Sequence, residues 1–131
     1  MGQPAAKQGD RITSVHVHLI LPPGAPPPPT VPVPHPFTGV IDGNLSPDVN
    51  IQGLAAATVG STATNTPRHV PIGGTFVIPP TDQAQILKGS GTVFINNKPA
   101  ARSGDTAQTC SDPAPTPSGT VVAVSTVLIG G

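Results

Sequence analysis

The 131-residue sequence predicts an all-β fold built from three strand-and-turn units, and three observations carry that prediction. A nine-residue pattern occurs three times, at 2–10, 53–61 and 97–105, each copy with Ala-Ala near its centre and Gly in its eighth place. Fourteen Val and nine Ile fall largely in short alternating runs, the spacing of strands with one face turned inward. Nineteen Pro and 15 Gly punctuate those runs, as tight turns between short strands require.

The match extends upstream of the turns. Asp48–Gly53 parallels Thr92–Asn97, and a third copy of that strand, Thr126–Gly131, ends the chain. The chain therefore starts with a turn that lacks its strand and ends with a strand that lacks its turn, so the repeat is cut circularly. The arrangement this predicts brings Gly131 beside Gly2 and closes three units into a ring of approximate threefold symmetry with few exposed edges. Within each turn the Gly supplies a positive φ, and the closing Asp10, Ser61 or Asp105 is suited to accept a backbone N–H.

Composition narrows the function classes. Six basic and six acidic residues give no net charge, so nothing supplies the field that nucleic acid or an anionic membrane surface would need. Three Phe and no Trp or Tyr imply a thin core, of the kind that calls for a metal, a disulfide or an oligomeric partner. A single cysteine, Cys110, removes the internal disulfide. Met1–Lys7 has no apolar stretch of the kind a secretory signal uses, so the expectation is synthesis in the cytoplasm without export by such a signal. The most apolar run, Val15–Leu21, is halted by Pro22-Pro23-Gly24, far short of a membrane span. The length suits one domain over 1–131. Pro22–Pro29 reads as polyproline II within a Pro-rich loop over 22–36, and a second long connection, Pro67–Gln85, is expected to lie over the outside of the ring.

The turn motifs carry a family resemblance. Pro4-Ala5-Ala6-Lys7, the degenerate Ala55-Ala56-Ala57-Thr58 and Pro99-Ala100-Ala101-Arg102 resemble the three repeats that name the PAAR family. Pro34-His35-Pro36-Phe37, at the end of the Pro-rich loop, is similar to the motif of PAAR-like tip proteins of type VI secretion, extracellular contractile injection and phage-like particles. The resemblance implies a small cone whose triangular base docks on a trimeric β-helical spike, with a zinc ion near the apex; iron is the second choice of metal, and a zinc-binding adaptor that recruits effector cargo to the spike is the alternative reading. It implies delivery with the particle into a target cell or the medium. The second copy departs from the pattern at Ala55, Thr58 and Ser61, which argues against equal roles for the three turns.

Five residues can ligate such an ion: His16, His18, His35, His69 and Cys110. A closed tetrahedral zinc site takes four. His18 and His69 each lie eight residues after the closing residue of their turns, which favours His18, with His16 two residues away on the same strand face as its alternative. The expected set is His18, His35, His69 and Cys110. No enzyme is expected: the six carboxylates are all Asp, Asp10 and Asp105 belong to turns, and no nucleophile signature is present. A zinc hydrolase, the remote alternative, would need an open metal position.

Overall fold

The computed structural model describes residues 2–24, 26 and 28–131; Met1 and, within the expected polyproline run, Ala25 and Pro27 lie outside the described residues. Among the described residues there is no helix. Each repeat contributes the same three parts in the same order: a small hairpin, the Ala-Ala turn, and a pair of antiparallel strands.

The hairpins are β4 (Asn50–Ile51) with β5 (Leu54–Ala55), and β9 (Phe94–Ile95) with β10 (Lys98–Pro99). The third pairs β1 (Gln3–Pro4) with β13 (Leu128–Ile129) from opposite ends of the chain. Two-residue links, Gln52-Gly53 and Asn96-Asn97, close the first two with positive φ at both positions, as a type I′ turn demands. In the third hairpin the link is the gap between the chain ends, so the expected meeting of the termini is found.

The strand pairs are β2 (Arg11–Leu21) with β3 (Val31–Gly43), β6 (Thr62–Asn65) with β8 (Gln83–Ile86), and β11 (Thr106–Thr109) with β12 (Thr116–Val122). They join as β12-β11-β8-β6-β3-β2, and β12 seals against β2, which makes a closed six-stranded antiparallel barrel. Closure leaves these strands few free edges. The β2/β3 pair runs on past the barrel to Ile20 opposite Val31, and β7 (Thr75–Phe76) adds to the far end of β2.

Two expectations about loops are corrected. Gln83–Gln85 is barrel strand, so the second long connection stops at Asp82 and crosses the end of the barrel. The Pro-rich loop ends at residue 30, because Val31–Pro36 belongs to β3 despite three prolines. Pro32, Pro34 and Pro36 alternate, so they share one edge of the strand. In this stretch β3 pairs with β2 alone, β6 beginning only at Gly39, and the N–H groups that proline lacks would have faced the open edge.

At the base the three turns bond one another in a cycle. Ala6 N–H donates to Ala101 O, Ala101 N–H to Ala57 O and Ala57 N–H to Ala6 O, at 3.0, 3.1 and 3.0 Å. An outer cycle runs the opposite way round, from Gln8 N–H to Ala55 O, Val59 N–H to Pro99 O and Ser103 N–H to Pro4 O. Gly9, Gly60 and Gly104 sit at φ of 91°, 95° and 92°, in the left-handed region where a side chain is strained. Asp10, Ser61 and Asp105 accept the N–H of Lys7, Thr58 and Arg102 at 3.0, 3.0 and 2.7 Å.

Two apolar clusters lie either side of this ring. Ala5, Ala56 and Ala100 pack with Ile51, Ile129 and Ile95 below it, while Ala6, Ala57 and Ala101 face the barrel interior with Ile12, Ile41, Ile86 and Val121. The Ala-Ala pairs are thus a septum between two thin cores. The degenerate second turn also has a physical reason. Thr58 and Ser61 are buried, and Ser61 Oγ donates to Asn44 O at 2.8 Å under the 44–46 segment. The charged pairs Lys7–Asp10 and Arg102–Asp105 keep partial contact with water. A charged pair in place of Thr58 and Ser61 would lose its solvation.

The alanines at the axis tolerate little growth. Ala57→Leu is expected to cost about 1–3 kcal/mol, the usual range for overpacking, read as a lowered midpoint in denaturant. An unchanged midpoint would remove the septum as a packing constraint.

Candidate metal centre

The barrel's far end brings together side chains from all three repeats. His16 and His18 point to one face of β2, two residues apart on a pleated strand. His35, on β3, lies directly opposite His16 in register. His69 comes from the β6–β8 connection, where Asp82 Oδ1 accepts its backbone N–H at 2.9 Å. Cys110 follows β11, tied by its N–H to Gln83 O at 3.1 Å.

The donor atoms of His16, His18, His69 and Cys110 all lie within 4.8 Å of one another. His16 Nε2 is 2.8 Å from His69 Nε2 and 3.1 Å from His18 Nε2. Cys110 Sγ is 3.7 Å from His16 Nε2 and 3.9 Å from His18 Nε2. A tetrahedral zinc with ordinary bond lengths sets N···N edges of about 3.4 Å and N···S edges of about 3.6 Å. The two N···N distances fall short of that edge and the two N···S distances slightly exceed theirs, so small shifts of the rings would seat an ion.

Of the residues expected from the sequence, the structure gathers His18, His69 and Cys110 into this group, together with His16, the alternative to His18. Both strand histidines take part because they share a face. His35 stands beside the group, its ring 5.3 Å from that of His18 and 5.7 Å from that of His69. Its Nδ1 meets Val33 O at 2.8 Å, and its Nε2 is buried with no partner. With Nδ1–H given to the carbonyl, that Nε2 presents a lone pair, so His35 is a fifth donor held in reserve at the edge of the group.

Aromatic rings cover part of the cluster. Phe37 packs 5.4 Å from the His16 ring, and Phe76 lies 5.5 and 5.6 Å from those of His18 and His35. Two of the three Phe thus wall the cluster. Burial, reinforced by the neighbouring imidazoles, pulls His16 down to about 4 from 6.5. Burial also lowers His18 and His69, in each case against the opposing pull of a carboxylate, Asp112 or Asp82. Burial pushes the Cys110 thiol up. At neutral pH the metal-free cluster is therefore neutral, and it offers imidazole lone pairs of the form a metal takes.

The geometry defines a class: a pseudo-threefold β-barrel stitched at its base by backbone and gathered at its far end by a His3Cys group that can hold a metal ion. Residues 31–113 match the PAAR motif family, and the chain belongs to it. No curated protein matches the chain. Proteins of the family sit on the spikes of contractile injection systems.

Two measurements test the centre. Chelation at neutral pH, or Cys110→Ala, is expected to lower the melting temperature markedly, since an ion bound only by the folded state stabilises it. In the metal-free protein, the unfolded chain takes up a proton on each lowered histidine that the folded state refuses. Stability should hold level from about pH 6.5 up to the alkaline range where the unfolded chain's Cys110 thiol ionises, and fall as the pH drops from 6.5 toward about 4. A flat denaturation midpoint across that window would contradict the buried, neutral histidines.

Proposed function

We propose that the chain, acting as one domain over 1–131, caps and sharpens the trimeric spike of a contractile injection machine, with its apex stiffened by a zinc ion. The observation that carries this reading is the threefold base. The inner and outer hydrogen-bond cycles give it three equivalent edges, and the apolar residues on them are open to water. Val49, Val93 and Val127 occupy equivalent places and are all exposed. Phe94, 57% exposed, and Leu128, 61% exposed, lie at equivalent positions on their hairpins, and Leu54 adds a third large apolar group. Large apolar groups left exposed on the same hairpins support an interaction face there. A threefold partner matches it site for site.

Charge is divided along the molecule in a way that suits a tip. Nine of the twelve charged residues belong to the base half: Lys7, Asp10, Arg11, Asp42, Asp48, Lys88, Lys98, Arg102 and Asp105. At the far end Asp82 is buried and the Asp112 side chain nearly so, which leaves Arg68 as the exposed charge among the described residues there. The four gathered donors fill the four positions of a closed structural zinc site, which supports a mechanical rather than a hydrolytic role.

Co-purification with a trimeric spike should give one copy of this chain per three spike chains. Phe94→Asp together with Leu128→Asp is expected to abolish that complex while leaving the fold's melting temperature nearly unchanged, because both side chains are exposed. Undiminished capture by the double variant would rule out the base as the docking face.

A further inference from the structure

We infer that three hydroxyl groups, of Thr109, Ser118 and Ser14, form a directed chain that positions His16, fixing Nδ1 as its protonated nitrogen so that Nε2 faces the metal. The inference rests on the metal reading of the cluster and adds to it residues that ligate nothing.

The chain is continuous. His16 Nδ1 lies 2.7 Å from Thr109 Oγ1, Thr109 Oγ1 lies 3.0 Å from Ser118 Oγ, and Ser118 Oγ lies 2.9 Å from Ser14 Oγ. Ser14 Oγ is in turn 3.1 Å from the backbone carbonyl of Ser118. That last atom sets the direction, because a carbonyl oxygen accepts and never donates. Each hydroxyl has one proton. Ser14 has two acceptors in range, the carbonyl and Ser118 Oγ; with its proton on the carbonyl, the one of the two that cannot donate in return, it accepts from Ser118. Ser118, its proton committed, accepts from Thr109. Thr109, committed likewise, accepts from His16, which must carry its proton on Nδ1. Thr116 Oγ1, 3.1 Å from Ser118 Oγ, is free to donate to that atom and does not reverse the order.

The consequence reaches the cluster. With the proton on Nδ1, Nε2 holds the lone pair, and Nε2 is the atom that meets His18, His69 and Cys110. The opposite tautomer would turn an N–H into the space the ion takes. Such outer partners orient ligand imidazoles and strengthen their binding. Asp112 lies near His18 without the same bond: its Oδ2 is 3.4 Å from a buried Nδ1 that has no hydrogen-bond partner, while it accepts the Leu19 N–H at 2.8 Å. Thr109 is buried, whereas Ser118 at the outer end is exposed, so the chain runs from the interior to the surface.

The test uses the full chain, Zn2+ in competition with a chelator, and nitrogen NMR of the histidine rings in the metal-free protein. Thr109→Val, similar in shape but without the acceptor, is expected to weaken Zn2+ binding about 10- to 100-fold, and Thr109→Ser to restore it. Metal-free wild type should show His16 in the Nδ1–H form, and Ser14→Ala, at the outer end, should move part of that population to the Nε2–H form. Wild type with His16 in the Nε2–H form overturns the inference, as does Thr109→Val binding Zn2+ as tightly as wild type. Should wild type bind no Zn2+, the metal reading beneath the inference is overturned instead, and the tautomer measurement still decides whether the hydroxyl chain sets the ring.

Discussion

Three backbone hydrogen bonds about the axis, linking Ala6, Ala57 and Ala101 in a cycle, are the contact on which the rest of the molecule depends. Each turn both donates and accepts, so none can leave without stranding a buried N–H in one neighbour and a carbonyl in the other. Stranded buried groups of this type cost more than a bond contributes when made. The cycle explains why the central residues are alanines: any larger side chain would hold the three backbones apart. It also explains how a chain with three Phe and no Trp closes a barrel at all. The septum divides the interior into two shallow cores, the lower filled by Ala and Ile alone and the upper chiefly by Ala and Ile with Val121, Phe37 and Cys110.

The far end uses a different means to the same purpose. Each of its three connections joins the two strands of one repeat, and each is long or proline-rich. Backbone pairing alone leaves those segments weakly tied. The histidines and the cysteine come from all three repeats, so an ion shared among them would join the units where the strands no longer do. The hydroxyl chain from Ser14 through Thr109 belongs to the same arrangement, linking β2, β11 and β12 beside the cluster.

Much of this was legible in the sequence. The circular cut of the repeat placed the termini together before any coordinates, because a repeat with a missing half must find it elsewhere in the chain. The eight-residue spacing to His18 and His69 marked equivalent places in the repeat, although one lies on β2 and the other in the β6–β8 connection, and the structure brings those two rings to 4.7 Å. Other features were hidden for stated reasons. Gln83–Ile86 has neither a β-branched run nor strong alternation, and it is a strand because the barrel supplies partners on both sides. Val31-Pro32-Val33-Pro34-His35-Pro36 looked like loop by composition, although its alternation already indicated a strand edge with no neighbour. Register was also invisible: only the pairing of β2 with β3 sets His35 opposite His16, and only ring directions show which donors converge. The hydroxyl partners of His16 could not be found from spacing, since Ser14, Thr109 and Ser118 meet through closure of the barrel.

The unequal repeats have one more consequence. Against a partner of strict threefold symmetry, a single copy of this chain has three ways to sit, related by rotation, and the partner makes them identical in energy. Differences among Asn50, Phe94 and Leu128 therefore select no orientation. They leave instead an orientational degeneracy that favours the seated state by about 0.6 kcal/mol, the value of RT ln 3. The lopsided far end, with its one long proline-bearing hairpin, would then point in each of three azimuths with equal frequency across a population of particles, and an image averaged under threefold symmetry would blur the apex while keeping the base sharp.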